Sequence, residues 1–409
     1  MKIFIFTILC LSLFSPLRAN EGNVLTLAAA IEEALAVNPD IRAAGYRTQA
    51  ARERIRQAKS LEDPQVGVMF EDVPIDTVDV NRGDAVNYRI EQTIPFPGKR
   101  HTRGKAARFD ALAIGEENRG RVRDVIFDLK NTYYMIYRFN RSLGVNRDTQ
   151  ALLRQILGSA ETSYATGRIT ADAPLKAQVE LSKSKNEEIL MEQELKTHRA
   201  HLKAILDRHE DPKLPARLRW PRLSLNLDEV IAMALETRPE LGRLRNQEKR
   251  DRALVTTARE TLLPDVSLGF EYNRRPNQKD AWTGTTMLNL PVFFWGKNRS
   301  SIREAKAALK STQAEHESME IHTRHEIEQA YSAVEAAQKI VASYEKNILP
   351  QSRTSLEAAR TAYGSGKADF MTLIDAARTD KDLQMSYYDN QSRLGMTHAE
   401  LERLVGRDL

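Results

Sequence analysis

The chain states one pattern twice, about 200 residues apart. Leu27, Ile31, Ala34, Leu35, Pro39 and Ile41 recur as Leu227, Ile231, Ala234, Leu235, Pro239 and Leu241. The match runs on through Pro64, Val66, Phe70 and Glu71 against Pro264, Val266, Phe270 and Glu271. It returns at Pro95, Gly98 and Lys99 against Pro291, Gly296 and Lys297, and at Tyr164, Gly167 and Arg168 against Tyr363, Gly366 and Lys367. Leu202, Ile205 and Leu206 answer to Leu401, Leu404 and Val405. Solenoids and propellers repeat every 20–50 residues, roughly, so this is a duplicated half. Whatever one half builds has a pseudo-symmetric partner.

Residues 1–19 read as a secretory signal: Lys2, an apolar run from Ile3 to Phe14, and Ser15-Pro16-Leu17-Arg18-Ala19 as a cleavage region. The run is too short to span a bilayer as a helix. The only cysteine, Cys10, lies inside it, and Leu9 is too large for a lipoprotein signal, so the mature chain is expected to lack thiol chemistry, disulfides and lipid. The formal charge of +5 loses two positives with Lys2 and Arg18. The remaining cations interleave with acids along helices, which argues against a nucleic-acid surface.

Within 20–210 and 224–409 the same order of textures appears, joined by a Pro-rich linker at 211–223. Each half opens with a helix broken by Pro39 or Pro239. Alternation then marks strands at about 64–73 and 85–95: Val66, Val68 and Phe70, then Val86, Tyr88, Ile90, Gln92 and Ile94, share one face. An Asp-rich loop with Asp72, Asp76, Asp79 and Asp84 separates them. Strands at about 264–273 and 282–291 repeat this with Val266, Leu268, Phe270 and Tyr272, then Trp282, Thr286, Leu288 and Leu290. About ten residues is the length of a tilted bilayer-crossing strand.

Long helices follow at 99–164 and 297–363, the second containing Pro350. At about 1.5 Å per residue each extends on the order of 100 Å, too long for a globule. Coiled-coil spacing supports them: Ile126, Leu129, Tyr133, Ile136, Asn140 and Leu143 in one copy, Ile327, Ala330, Val334, Ala337, Val341, Tyr344 and Ile348 in the other. Glycine turns at 165–171 and 364–368 lead into return helices at 172–207 and 369–405. Leu181, Leu195 and Leu202, and Tyr387, Leu394 and Leu401, keep a heptad grid there, which Glu188 interrupts.

Two hairpins supply four membrane-length strands, and four strands cannot close a barrel. Open edges are not tolerated in lipid, and bacterial barrels start at eight strands, so copies must combine. The fold class expected is mainly α with a small β part: duplicated long helical hairpins forming a tunnel, with four strands per chain given to a shared barrel. A periplasmic coiled-coil adaptor or scaffold is the rival; it would not need two one-face-apolar strand pairs.

With these residues in view, the chain resembles the TolC-type outer-membrane efflux factors over essentially its whole mature length. The carriers are the duplicated openings at Leu27 and Leu227, the tips around Gly167 and Gly366, and the ending Leu373-Ile374-Asp375-Ala376-Ala377-Arg378 through Leu401-Glu402-Arg403-Leu404-Val405-Gly406. Glu91-Gln92-Thr93-Ile94-Pro95-Phe96-Pro97-Gly98-Lys99-Arg100 is similar to the heavy-metal, CzcC- and CusC-like branch. The resemblance implies a homotrimer with a twelve-stranded barrel in outer-membrane lipid and a helical tunnel through the periplasm. It implies a periplasmic adaptor and an inner-membrane pump of the RND type as partners, with heavy-metal cations as cargo; drugs or other small molecules are the alternative.

The candidate site residues divide by place. Pro95, Pro97, Gly98, Pro291 and Gly296 mark the junction between barrel and helices: prolines end the strand and glycine turns the chain. Phe293, Phe294 and Trp295 beside it suit a membrane–water boundary. By resemblance, Thr166, Gly167, Arg168, Ser365, Gly366 and Lys367 form the adaptor-contacting tips, and Asp375 a periplasmic gate, although Thr372 stands where the family often carries an acid. Asp369 is placed to cap the helix start. His198 with His201, and His322 with His325, are spaced i, i+3 and could chelate a divalent ion. There is no cysteine or clear third ligand with them, so no metal site is assigned. No catalytic constellation or cofactor motif occurs, and the chain is not expected to be an enzyme.

Overall fold

The computed structural model describes residues 24–76, 79–275 and 278–409; the leader read at 1–19 lies outside them. Each half begins with two helices meeting at proline: α1 (Leu27–Val37) and α2 (Pro39–Lys59), then α5 (Leu227–Thr237) and α6 (Pro239–Glu260). Proline suits the first helical position because its missing N–H has no helical partner there. Thr26 caps α1 by accepting from the Ala29 amide, and Asn226 with Glu229 forms a capping box on α5.

The duplication persists in space. Tyr133 donates its hydroxyl to the Leu25 carbonyl at 2.8 Å, and Tyr331 donates to the Leu225 carbonyl at 3.1 Å. Each bond pins the entry of its half to its own long helix. The helix kinks are likewise tied to the return helices: Asn38 Nδ2 donates to the Ile205 carbonyl at 3.0 Å, and Thr237 Oγ1 to the Val405 carbonyl at 2.7 Å.

The first long helix, α3 (Lys99–Ala165), is continuous over 67 residues, or about 100 Å. The second is divided into α7 (Arg299–Ser343) and α8 (Leu349–Gly364) by a π-helical turn, Tyr344–Ile348. Pro350 explains the division: its ring would clash with the carbonyl of Lys346, four residues back. A π turn widens the ladder at that spot and lets the helix carry on. The return helices are α4 (Asp172–Ile205) and α9 (Phe370–Val405).

Three cores line the shaft. One joins Leu129, Ile136 and Leu143 of α3 to Leu195 and Leu202 of α4 beneath α1. Its counterpart joins Ile327, Val334 and Val341 of α7 to Leu394 and Leu401 of α9 beneath α5. The third, near the tips, mixes both halves: Leu153 and Ile156 with Leu181, Phe370, Leu373 and Ile374. Asn140 departs from the expected seam; it is exposed, its side chain accepting from Arg199 at 3.4 Å. An amide is better served facing water than among leucines.

The halves also meet along α3 and α9. Gly395 allows this approach, since a Cβ there would lie 2.6 Å from the Tyr134 ring. Trp220 stacks on that ring at 5.4 Å, so it cannot swing away. Gly395→Ala is therefore expected to cost about 1–3 kcal/mol by overpacking, read as a lowered midpoint of thermal unfolding in detergent.

The strands β1 (Gln65–Glu71), β2 (Ala85–Ile94), β3 (Asp265–Arg274) and β4 (Ala281–Asn289) form one antiparallel sheet in sequence order. Its inner pair, β2–β3, comes from different halves, and β1 and β4 are free edges.

Candidate functional site: sheet, junction and helical tips

Apart from Met69 and Met287, register puts the large apolar residues of all four strands on one face. Val66 lies opposite Ile90, Ile90 opposite Phe270, and Tyr88 opposite Tyr272, which faces Trp282. These side chains are all exposed, Val66 at 76% and Trp282 at 71%. The other face is polar and bonded to itself. Asn87 donates to Glu71 at 3.2 Å, Thr93 and Ser267 share a bond of 3.0 Å, and Asn273 donates to Thr283 at 3.2 Å. A sheet wet on its polar face and bare on its apolar one suits a barrel wall between lipid and a water-filled lumen. Among the described residues no helix is long and apolar enough to cross a membrane.

Below the sheet, Pro95 and Pro97 end β2, and Gly98 turns the chain at φ 105°, a region that favours glycine. Lys99, only 6% exposed, then donates its ammonium to Asp265 Oδ1 and the Leu263 carbonyl, both at 2.8 Å. The Phe96 amide reaches the same carboxylate at 2.7 Å, and Thr102 donates to Glu260 at 2.8 Å. This lock clamps α3 to the base of β3. The second junction is built differently. Pro291 follows β4, but Gly296 sits inside a π-helical turn, Phe294–Asn298, without positive φ. Phe293, Phe294 and Trp295 are exposed, and the two phenylalanine rings pack on Trp295 at 5.7 and 5.3 Å.

At the far end the two tips are superimposable in their bonding. Gly167 and Gly366 both have φ 70°. Gly167 N–H donates to the Tyr164 carbonyl and Arg168 N–H to that of Ser163; Gly366 and Lys367 repeat this onto Tyr363 and Ala362. These left-handed turns close both long helices and leave Thr166, Gly167, Arg168, Ser365, Gly366 and Lys367 exposed. Asp369 caps α9 through the Thr372 amide at 2.8 Å. A bond from the Thr372 hydroxyl, and then that amide bond, hold its carboxyl below the ordinary range.

Asp375 is exposed, 3.7 Å from Arg378, which also pairs with Glu180 of α4 at 2.7 Å. Lys381 pairs with Glu187 of α4 at 2.9 Å. Burial works to raise the Glu180 carboxyl, but hydrogen bonds from Lys183 and Arg378 outweigh it and hold the group low. A depressed folded value means this contact is present at neutral pH and lost as pH falls through that value. Arg378→Ala is expected to cost under about 1 kcal/mol, since the arginine is half exposed, and to loosen the tip first. Faster amide exchange confined to 175–185 and 370–382 is the readout.

The histidine pairs are not brought together with further ligands. His198 stacks on Phe139 at 5.5 Å, while His201 pairs with Asp128 at 2.9 Å. His322 and His325 are exposed. Among the described residues no group of three or more His, Cys, Asp or Glu side chains could hold a metal. A different histidine matters structurally. His398 is 3% exposed, with Nδ1 3.6 Å from Glu402, whose other oxygen takes the Lys130 ammonium at 2.5 Å. Nothing local announces this cluster, because Lys130 and Glu402 stand 272 residues apart.

The model of the outer membrane efflux protein family matches this chain twice, over residues 30–208 and 230–407. The chain belongs to the outer membrane efflux proteins. Among relatives of this efflux protein is the cobalt-zinc-cadmium resistance protein CzcC of Cupriavidus metallidurans, 23% identical across 94% of this chain and 90% of that one. The probable outer membrane lipoprotein SilC of Salmonella typhimurium is 21% identical over 85% of this chain and 78% of its own. The pyoverdine export protein OpmQ of Pseudomonas putida is 24% identical, but over 45% of this chain and 39% of its own. In fold, a crystal structure of CusC covers 93% of this efflux protein and 92% of itself, with a TM-score of 0.80 at 18% identity. VceC of Vibrio cholerae gives 0.77 at 18% identity, covering 93% and 96%. The fold is thus that of the outer-membrane channels, mostly helical with four antiparallel strands.

Proposed function

We propose that three copies of this chain share one twelve-stranded barrel and one helical tunnel, a passive exit duct for heavy-metal cations. The observation that carries the duct is the sheet: four antiparallel strands of seven to ten residues, apolar and exposed on one face, with two unpaired edges. Unsatisfied edges cost several kcal/mol per group in lipid, roughly, and one neighbouring copy on each side satisfies them. Full-length similarity to CzcC supports the metal cargo; the shorter match to OpmQ favours small molecules less.

In this reading the exposed tips, Thr166–Arg168 and Ser365–Lys367, dock on a periplasmic adaptor that joins the duct to an inner-membrane RND pump. Asp375, repeated three times near the tunnel mouth, attracts cations and resists close approach of its copies. The Pro95–Gly98 and Pro291–Gly296 segments hold barrel to tunnel, with the aromatic trio at the inner boundary of the membrane. The chain itself performs no catalysis; energy comes from the pump.

The test is growth of the source bacterium with and without this gene across zinc, cobalt, cadmium, copper, silver and nickel, beside a dye and antibiotic panel. Selective sensitivity to one or two metals on deletion is the expected result. Sensitivity to drugs alone would retain the duct and reject the cargo.

A further inference from the structure

Two methionines interrupt the polar face of the sheet, both on edge strands: Met69 on β1 and Met287 on β4, each about half exposed. Their flanking residues are Gly67 and Glu71 on one strand, Thr285 and Asn289 on the other. Within one chain they stand at opposite edges. The duplication shows what happens when edges meet. Gln65 pairs with Glu91 in the first hairpin as Asp265 pairs with Asn289 in the second, which makes Glu91 the counterpart of Asn289. The joint between β2 and β3 is then the template for the joint between β4 and the next copy's β1. In that template Glu91 faces Gly269 and Arg89 faces Glu271. Translated, Asn289 faces Met69 of the next copy, and Met287 faces its Glu71. Met287 and that Met69 are diagonal neighbours on the lumenal face, about 7–8 Å apart at the backbone and within reach of long side chains. Anchoring the comparison on Pro95 and Pro291 instead shifts the pairing by one pleat and sets the methionines directly opposite. Either register brings them together.

We propose that each seam of the shared barrel carries a soft-cation site made of Met287 from one copy and Met69 from the next, with Glu71 beside them. The inference rests on the shared-barrel reading. Thioethers are neutral, polarizable donors that select monovalent soft ions, Cu(I) or Ag(I), over hard divalent ones. Two thioethers and one carboxylate hold such an ion without the closed cage of a structural site, as a conduction pathway requires. The seam position has a consequence: the two sulfurs of one site come from different chains, because Met69 and Met287 of one chain lie at opposite edges of its sheet, so the site exists only in the assembled barrel.

Two measurements on the full-length, detergent-extracted protein test this. In the first, Met69→Cys and Met287→Cys are combined in a Cys10→Ser background, leaving no other cysteine, and treated with a short bismaleimide. Linkage between chains up to a covalent trimer is expected for the double variant, and none for either single one. In the second, silver ion is titrated into the wild type and into Met69→Leu/Met287→Leu. The double variant is expected to lose one bound silver per chain, or to bind it at least tenfold more weakly, with its assembly unchanged. Cross-linking without a change in silver binding would overturn the site and leave the shared barrel standing. A trimer that fails to cross-link would overturn the register and the site with it. A protein that is not trimeric would overturn the barrel reading itself.

Discussion

Phe270→Arg removes the protein from the outer membrane. Phe270 sits mid-strand on β3, between Ile90 and Gly284, its ring stacked on Trp282 at 6.0 Å, with half its surface bare. Arginine at the midplane of a lipid-facing wall costs about 2–4 kcal/mol, and a shared barrel incurs it once per copy. The expected outcome is loss of most of the protein from the outer-membrane fraction, measured by immunoblot after fractionation. Thr285→Arg is the matched control. Thr285 is exposed on the polar face opposite Gly269, which has no side chain to obstruct a long cation. It should insert normally. Equal loss for both variants would mean that the two faces do not differ in what they meet.

The second large effect lies in the shaft. Lys130→Ala leaves the Glu402 carboxylate buried beside His398 without its ammonium partner. Removing one member of a buried pair costs about 3–5 kcal/mol, because the charge that remains is uncompensated. Burial alone would raise the Glu402 carboxyl, yet the bonds from His398 and Lys130 hold it below the ordinary range. The sign follows: the cluster stabilises the fold above the unfolded carboxylate value and stops doing so as pH falls through the depressed folded one. Lys130→Ala should therefore lower the thermal midpoint strongly at pH 7 and much less in acid, as followed by helical circular dichroism. Lys130→Met with Glu402→Leu should recover part of the loss, since a packed apolar pair often replaces a buried ion pair at little cost. A midpoint unchanged in Lys130→Ala would show that water, not protein, surrounds Glu402.

How much of this was legible in sequence follows from the range of each interaction. The sheet's faces were readable because alternation is local: Val66, Tyr88, Phe270 and Trp282 each announce their side through immediate neighbours. The left-handed turns at Gly167 and Gly366 were readable for the same reason. Asn140 misled because heptad spacing marks a stripe, while burial depends on which neighbour covers it. Pro350 was visible, but its accommodation by a π turn depends on the strength of the flanking coil. Gly296 shows that a duplicated residue need not keep its conformation once the bonds around it diverge: Lys99 has Asp265 to grip, whereas the position equivalent to Asp265 in the first half is Gln65. The Lys130–Glu402–His398 cluster and the Lys99–Asp265 lock join distant segments, and no pattern within either segment encodes them.

In the proposed barrel, lipid and further copies of the same chain complete the bare apolar wall and its two open edges. The native mass of the protein, taken from isolated outer membranes into detergent, tests it most directly. The account predicts that salt and alkali release none of the protein, that detergent releases it, and that the extracted particle contains three chains. A single chain released by salt or alkali without detergent would contradict it.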